Sequence, residues 1–432
     1  MVKYADRMNE MKASDVRELL KLTARPEVIS FAGGIPAPEL FPVDDVNTAT
    51  AAVLHENGRA ALQYGPTEGY LPLRKQIADR LAAKNGIHTD ADHIMMTAGS
   101  QQGLDYCARL FLNPGDVVVM ESPSYLGAIS AFKPCQPKFV EVPTDDGGMI
   151  MEELDRILAT TENVKMIYVI PDFQNPSGRT WSLERRKAFM EVVNKYEVPV
   201  IEDNPYGELR FKGEFLPALK TMDTKDLVIY LGTFSKILAP GYRLGWICCG
   251  SDIFDKMTLI AQAAVLQTST ISMMVVSKYL DMLDLDAHVQ KIRDTYRHRC
   301  DLMISTMDEY FPKEAKFTRP EGGLFTWVEM PEYVNTRDMA ADALALNVAG
   351  DERDVERQRI RRHVAGVDVL RHLDPCEQAA FGAGELGFLR EVFVHGRDHQ
   401  VTAVTVCIAD LLDMRVKIEH VEVLRDDHHG DC

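Results

Sequence analysis

Six short, almost uninterrupted apolar runs between residues 93 and 250 constrain the fold more than any other feature of the sequence. The runs are HIMMTAG (93–99), DVVVMESP (116–123), VKMIYVIPD (164–172), VPVIED (198–203), LVIYLGT (227–233) and GWICCG (245–250). Such runs are typical of strands that are covered on both faces of a largely parallel sheet. The helical stretches between them complete βαβ units, so the sequence predicts a large, doubly wound α/β domain.

A second, smaller α/β unit is predicted from the two ends of the chain. Residues 4–24 carry apolar positions at helical spacing, and the glycine- and proline-rich stretch 29–42 is typical of an irregular loop. After a long helical stretch at 273–310, GGLFTWVEMPE (322–332) begins a new α/β pattern. The expected parts are an N-terminal helix and loop at 1–45 that join the small domain, a large domain at 46–285 and a small C-terminal domain at 286–432.

Composition and charge exclude several classes of protein. Apolar residues make up 46% and charged residues 26% of the 432 positions, as in globular proteins. The formal net charge of −17 argues against nucleic acid or an anionic membrane as the main partner. No run approaches the roughly 18 apolar residues of a membrane span, and the N-terminal stretch lacks a signal-peptide core, so we expect a cytoplasmic protein. The eight cysteines lack metal-ligand spacing, which predicts reduced thiols and no metal site.

Polar side chains follow five of the predicted strands, at the edge of an open α/β sheet where ligands bind. In chain order they are Ser100 and Gln101, then Tyr125, then Asn175, then Asp203 and Tyr206, and finally Thr233, Ser235, Lys236 and Arg243. Taken singly, each group has an ordinary explanation as a helix cap, a turn or a space-filling ring. Together they offer an anion cradle, a ring to stack on, an amide, a carboxylate and an amine.

Pyridoxal 5′-phosphate requires this set of groups. Those suited to its phosphate are Ser100, Gln101, Thr233, Ser235 and Arg243. Its pyridine nitrogen must stay protonated to draw in electrons, and Asp203 can supply the carboxylate for this. Asn175 and Tyr206 can bond its phenolic oxygen, and Tyr125 can stack on its ring. Lys236 can form the resting Schiff base with its aldehyde.

In its motifs, the chain resembles the class I/II aminotransferases of fold type I, the aspartate-aminotransferase-like pyridoxal-phosphate enzymes. The matching motifs are TAGSQQGLD, FQNPSGRT, IEDNPYGELRF, GTFSKILAPGYRLGW and PEGGLFTWVEMPE, within about residues 5 to 340. The form FQNPSG resembles the kynurenine/2-aminoadipate aminotransferase branch most, a branch that also supplies the effector domains of MocR-type regulators. The resemblance implies a large cofactor-binding domain, with a mostly parallel seven-stranded sheet flanked by helices, and a smaller α/β domain.

The resemblance also implies roles for individual residues. Lys236 is the Schiff-base lysine and afterwards the general base that moves a proton between the substrate α-carbon and the cofactor. Tyr64, in QYGPTEGYLPLR, matches the tyrosine that reaches the phosphate of the neighbouring subunit's cofactor, which implies a homodimer with shared sites. Gly33 and Gly34 lie in the loop over the substrate, which Asn175 also contacts.

The chain departs from the family pattern after residue 345. Family members bind the substrate α-carboxylate with an arginine in a strand of R-L-N-F type, and no such motif follows NVAG at 347–350. Arg371, Arg390 and Arg397 lie in no matching motif, and seven of the twelve histidines fall after residue 350. Two interpretations stay open: a divergent end of the small domain, with strands in HQVTAVTVCIADL and MRVKIEHVEVL, or out-of-frame sequence.

The activity that the resemblance implies is transfer of an amino group from an L-amino acid to a 2-oxo acid, with 2-oxoglutarate expected as the acceptor, by a ping-pong mechanism in amino-acid metabolism. The sequence does not identify the donor, and aromatic, branched-chain and aminoadipate donors all remain open. The same site also suits another reaction of the cofactor, such as a β-lyase, decarboxylase or racemase reaction. A non-catalytic, MocR-like ligand-sensing domain is the alternative from another class, and the acidic net charge argues against it.

Overall fold

The computed structural model of the protein describes residues 2–9, 11, 28–31, 33–331, 333–336, 339, 343, 348–353 and 403–407. Most of the helix predicted over 4–24 lies outside these residues, and the part inside them contains a four-residue 3-10 helix, Asp6–Asn9. The three arginines of the tail and the stretch MRVKIEHVEVL also lie outside them.

Within the described residues, thirteen strands and nine α-helices have the following bounds. The strands are β1 (Ile29–Phe31), β2 (Ile94–Thr97), β3 (Val117–Ser122), β4 (Lys138–Asp145), β5 (Gly148–Met149), β6 (Val164–Val169), β7 (Val200–Asp203), β8 (Val228–Thr233), β9 (Gly245–Cys248), β10 (Lys316–Phe317), β11 (Phe325–Glu329), β12 (Val348–Arg353) and β13 (Ala403–Cys407). The α-helices are α1 (Val43–Ala61), α2 (Leu71–Asn85), α3 (Ser100–Phe111), α4 (Leu126–Phe132), α5 (Met151–Thr160), α6 (Leu183–Tyr196), α7 (Ser251–Ala264), α8 (Thr270–Met282) and α9 (Leu285–Tyr310). None of them is long and apolar enough to cross a membrane.

The large sheet has the order β2-β9-β8-β7-β6-β3-β4-β5. Its central pairs, from β4 through β3, β6 and β7 to β8, are parallel, whereas β9 runs antiparallel to β2 and β8. All six predicted runs are strands of this sheet, which confirms the mostly parallel α/β architecture. With the two-residue β5 it has eight strands, where the resemblance implied seven.

Strand β4 carries no continuous apolar run, for a physical reason. It lies next to the two-residue edge strand β5, and most of its residues, in KFVEVPTD, are only half-buried. A strand near the edge of a sheet alternates apolar and polar side chains, which gives a weaker signal than the run of a strand covered on both faces.

Hydrophobic cores cover both faces of the large sheet. Along β6, Met166 and Tyr168 lie in one core, whereas Ile167 and Val169 lie in the other. This alternation follows the two-residue period of a strand, and it explains why the strand reads as continuously apolar.

The small sheet has the order β1-β12-β13-β11-β10 and joins segments from both ends of the chain. Strand β1 pairs in parallel with β12, with Ile29 opposite Val348, and the other neighbours are antiparallel. The loop that follows β1 therefore starts from the small sheet, and its next residues reach the carboxyl edge of the large one.

Candidate active site

A helix start and an arginine form a cradle at the end of β2. Gly99 has a φ of +78°, a backbone conformation that favours glycine, and the next residue begins α3. The Arg243 Nη2 atom donates to the Ala98 carbonyl oxygen at 3.1 Å, and a Cβ on Gly99 would lie 2.8 Å from that nitrogen. Arg243 is exposed, so its guanidinium and the free N–H groups of the helix start are accessible to an anion.

Hydroxyl groups at the end of β8 and just after it lie near the same helix start. Ser100 Oγ donates to the Gly232 carbonyl oxygen at 3.4 Å. The Thr233 and Ser235 hydroxyl oxygens lie 2.9 Å apart, and the Ser235 N–H donates to Thr233 Oγ1. The structure therefore brings these three residues together with Arg243. The Gln101 side chain instead donates to the Gly127 carbonyl oxygen at 2.9 Å.

Asp203 ends β7 with a carboxylate that is only 2% exposed. Its Oδ2 atom accepts a hydrogen bond from the Tyr168 hydroxyl at 2.9 Å, and its buried Oδ1 atom has no hydrogen-bond partner among the described residues. Burial raises the pKa of this carboxyl group from 3.8 to about 7, although the bond from Tyr168 opposes the rise. A buried carboxylate oxygen without a donor is costly, and a pyridinium N–H is a donor that would satisfy it.

The two predicted donors for a ring oxygen lie in contact with each other. Asn175 and Tyr206 are both buried, and the Asn175 Nδ2 atom lies 3.3 Å from the Tyr206 hydroxyl. The Tyr206 ring packs edge-on against Phe325 of β11, with the ring centroids 5.6 Å apart. Tyr125 precedes the first residue of α4 and is half-buried.

Lys236 meets the loop that follows β1. The half-buried Lys236 side chain donates from Nζ to the Gly34 carbonyl oxygen at 3.1 Å. Gly33 and Gly34 both have a positive φ, and a Cβ on Gly34 would overlap the Phe325 ring. The structure thus places the predicted substrate loop against the predicted catalytic lysine.

Tyr64 lies apart from this group within one chain. Its side chain is 79% exposed, on the loop between α1 and α2, and no hydrogen bond joins it to the other predicted site residues in the described part of the chain.

Sequence reasoning missed two residues that touch the site. In the sequence, Tyr168 is one residue of a buried apolar run, and Phe325 is one residue of the motif PEGGLFTWVEMPE. The two-residue period does place Tyr168 on one face of its strand, but no local signal indicates which residue of the next strand it meets.

Comparison with known proteins places this geometry in a family. The profile described as "Aminotransferase class I and II" matches residues 26–361, well over half of the chain. The chain belongs to the aminotransferase class I and II family. The match extends past residue 345, where the family motifs stop being visible in the sequence.

Named relatives in the class I and II family agree with this assignment. The chain is 44% identical over 350 residues to aromatic-amino-acid aminotransferase 1 of Thermococcus litoralis, which covers 80% of this chain and 84% of that protein. It is 39% identical to the 2-aminoadipate transaminase of Thermus thermophilus, and the alignment covers 78% of this chain and 84% of that protein. The crystal structure of Pyrococcus horikoshii kynurenine aminotransferase in complex with PMP superposes with a TM-score of 0.80 at 34% identity, covering 99% of this chain and 98% of that one.

These matches confirm the resemblance that the motifs indicated, including the kynurenine/2-aminoadipate branch of class I and II aminotransferases. Pyridoxal 5′-phosphate is the cofactor of the chain, and its activity is pyridoxal-phosphate-dependent transfer of an amino group. The residues described above fit that cofactor, since the unpaired Asp203 oxygen can accept from its pyridinium N–H and the cradle at Gly99 suits its phosphate.

Proposed function

We propose that the protein moves the amino group of an L-amino acid to 2-oxoglutarate in two successive half-reactions at one site. The observation that carries this proposal is the buried Asp203 oxygen without a donor, at the edge of the sheet where Lys236 also lies. When bound, pyridoxal phosphate supplies an aldehyde that takes up the amino group and a ring that withdraws electrons from the substrate α-carbon.

Lys236 has two tasks in this proposal. Its side-chain nitrogen would hold the cofactor covalently in the resting protein. Once released, the same amine would act as the general base that moves a proton between the substrate α-carbon and the cofactor. The Gly34 carbonyl oxygen accepts a hydrogen bond from Nζ and would orient the released amine.

The remaining residues bind and orient the cofactor. We assign the phosphate to Ser100, Gln101, Thr233, Ser235 and Arg243. Asp203 keeps the ring nitrogen protonated, because its carboxylate is the counter-charge to a pyridinium in a buried site. Asn175 and Tyr206 donate to the ring oxygen, and Tyr125 stacks on the ring face.

The loop of Gly33 and Gly34, together with Asn175, would contact the substrate. As the donor we propose an aromatic amino acid, because the relative with 44% identity is named for aromatic amino acids. The relatives named for 2-aminoadipate and kynurenine make 2-aminoadipate and kynurenine the next donors to test.

The proposed working form is a cytoplasmic homodimer whose subunits are divided at residues 45 and 285 into small and large domains. Large apolar side chains that a second subunit could cover are exposed on α1, α7, α8 and the loop after α1: Val43, Leu62, Tyr64, Leu259 and Met282. Tyr64 would then reach the phosphate in the partner's site.

The test is the visible absorbance of the purified protein with pyridoxal phosphate, before and after addition of L-phenylalanine. We expect a band of covalently bound cofactor that disappears as pyridoxamine phosphate forms, and that 2-oxoglutarate restores. Lys236→Ala should abolish both the band and turnover. Transamination at the wild-type rate by that variant would overturn the assignment of Lys236.

A band that forms but responds to no amino acid would contradict the proposed transfer.

A further inference from the structure

Tyr168 and Asp203 form a buried pair across two neighbouring parallel strands. Tyr168 of β6 is in register with Ile201 of β7, and Asp203 lies two residues further along that strand, on the same face. A diagonal neighbour at this spacing is within reach of a long aromatic side chain. The resulting bond, from the Tyr168 hydroxyl to Asp203 Oδ2, measures 2.9 Å.

The direction of this hydrogen bond follows from the chemistry of both groups. Tyr168 is fully buried, and burial with the Asp203 charge raises the pKa of its hydroxyl well above 10. The phenol therefore stays protonated and donates, whereas an ionised carboxylate only accepts. Among the described residues, titratable groups close to the pair include Tyr125, Tyr206 and Cys107, which are all neutral when protonated.

The Tyr168 ring is held in place independently of this bond. It packs edge-on against Phe132 of α4, with the centroids 5.8 Å apart and the planes at 78°. The hydroxyl is thus aimed at Asp203 by the packing of its ring, and it occupies one carboxylate oxygen while leaving Oδ1 for a second donor.

We propose that Tyr168 is a positioning residue whose hydroxyl keeps Asp203 ionised, and so keeps the proton on the pyridine nitrogen of the bound cofactor. This inference rests on the proposed role of Asp203. In a buried pair of carboxylate and pyridinium, the proton belongs to whichever partner is more basic. A hydrogen bond to the carboxylate makes it less basic, which moves the shared proton toward the ring nitrogen. Without the Tyr168 hydroxyl, more of the proton resides on Asp203, and the ring withdraws electrons less strongly.

The experiment measures the ¹⁵N chemical shift of pyridoxal phosphate labelled at the ring nitrogen and bound to the protein. We expect wild type to show a protonated ring nitrogen and Tyr168→Phe to shift toward the unprotonated value. The variant's kcat should fall by about tenfold or more, the effect of losing one bond to a charged group, with a smaller change in KM. The ¹⁵N shift separates this role from a structural one, since general loosening of the core would not move the ring proton.

The matched control is Tyr230→Phe. Tyr230 is a buried tyrosine of the adjacent strand β8 and makes no hydrogen bond to Asp203 in the described part of the chain. It should keep the wild-type ¹⁵N shift.

A fluorinated tyrosine at position 168 provides a second test of the proposal if Tyr168→Phe fails to fold. It keeps the shape of the side chain, and its more acidic hydroxyl donates a stronger bond, so the ¹⁵N shift should move further toward the protonated value.

The variant Asp203→Asn distinguishes the inference about Tyr168 from the proposed role of Asp203. If Asp203→Asn changes the ¹⁵N shift while both replacements at 168 match wild type, the inference about Tyr168 is overturned and the role of Asp203 stands. If Asp203→Asn leaves the shift unchanged as well, the proposed role of Asp203 is wrong and the inference fails with it.

Discussion

At the scale of single residues, three carboxyl groups of the large sheet are expensive to bury. Burial raises the pKa of Glu121 to about 8 and those of Glu202 and Asp203 to about 7. Glu121 and Glu202 each accept two hydrogen bonds from N–H donors. Asp203 alone among these three keeps a buried oxygen without a donor, which is the property expected of a group that awaits a charged ligand.

The stability of the cofactor-free protein should depend on pH through Asp203. Its pKa of about 7 in the folded protein exceeds the usual 3.8, so the folded state holds more protons than the unfolded chain between about pH 4 and 7. The free energy of unfolding therefore falls as the pH rises through this range. In Asp203→Asn, the free energy of unfolding should differ less between pH 5 and pH 8 than it does in wild type. Urea unfolding at the two pH values measures this difference.

The control for this experiment is Asp79→Asn, at an exposed position of α2. Equal pH dependence in wild type and Asp203→Asn would contradict the prediction. Glu121 and Glu202 contribute in the same direction, so the comparison between variants, rather than the slope of wild type, isolates Asp203.

At the scale of secondary-structure elements, two loops meet on β11. The loop after β1 approaches with Gly34, and the loop after β6 approaches with Gly178, whose added Cβ would overlap the Phe325 carbonyl oxygen. Both glycines permit an approach of backbone to β11 that no other residue allows. The Phe325 ring thus contacts both the proposed substrate loop, at Gly34, and the ring of Tyr206.

Gly34→Ala should impair turnover while leaving cofactor binding largely intact. The new Cβ would overlap Phe325, and the φ of +58° strains any residue with a side chain, so the loop must move away from Lys236. We expect kcat/KM to fall about tenfold or more, the consequence of misplacing a substrate loop by roughly 1 Å. Steady-state kinetics and a pyridoxal phosphate titration test this.

The matched control is Gly58→Ala, where an added Cβ meets nothing within 4 Å. Unchanged kinetics in Gly34→Ala would show that the loop is not part of the site.

The loop after β6 is held by a buried ion pair. Arg186 of α6 is 0% exposed, and its Nη2 atom lies 2.7 Å from Asp172 Oδ1. The same guanidinium donates to the carbonyl oxygens of Pro171 and Trp181, the two ends of the loop that carries Asn175.

Arg186→Leu should lower the free energy of unfolding by about 3–5 kcal/mol, because it leaves the Asp172 charge buried without its closest partner. Arg156→Leu removes an arginine from an exposed pair with Glu153 and should cost less than about 1 kcal/mol. Urea unfolding of the two variants provides the measurement, and similar losses would contradict the assigned role of the buried pair.

At the scale of the whole molecule, the two sheets are tied together at the site. Strand β1 belongs to the small sheet, and the loop directly after it contacts Lys236, which follows a strand of the large sheet. Movement of the small sheet would therefore move the loop that contacts Lys236, so the proposed substrate site should depend on the relative position of the two sheets.

The proposed dimer makes a prediction for mixed subunits. If Tyr64 completes the partner's site, a mixed dimer of Lys236→Ala and Tyr64→Ala subunits contains one intact site and one doubly altered site. Equal mixing, after the pure variants are dissociated and reassociated together, should then restore about a quarter of wild-type activity. No recovery above the average of the two pure variants would contradict a shared site, and the same mixture without reassociation is the control.

Local patterns were enough to predict the strands that form the centre of the large sheet. Each is buried on both faces, and double burial imposes a continuous apolar run that can be read without a structure. The half-buried strand β4 was not predicted, because polar side chains interrupt its apolar pattern. The β1–β12 pairing in the small sheet joins segments more than 300 residues apart in the chain, and pairing over such distances leaves no local signal.

The candidate site divides in the same way. Motifs and strand ends are local properties, so the chemical groups that follow the strands, including Lys236 and Asp203, can be predicted from sequence alone. The folded chain is needed to show that Tyr168 occupies one oxygen of Asp203 and leaves the other free, and that Gly34 contacts both Lys236 and Phe325. These contacts depend on strand register and on the packing of one sheet against the other, which are set by the lowest free energy of the whole fold rather than by any short stretch of chain.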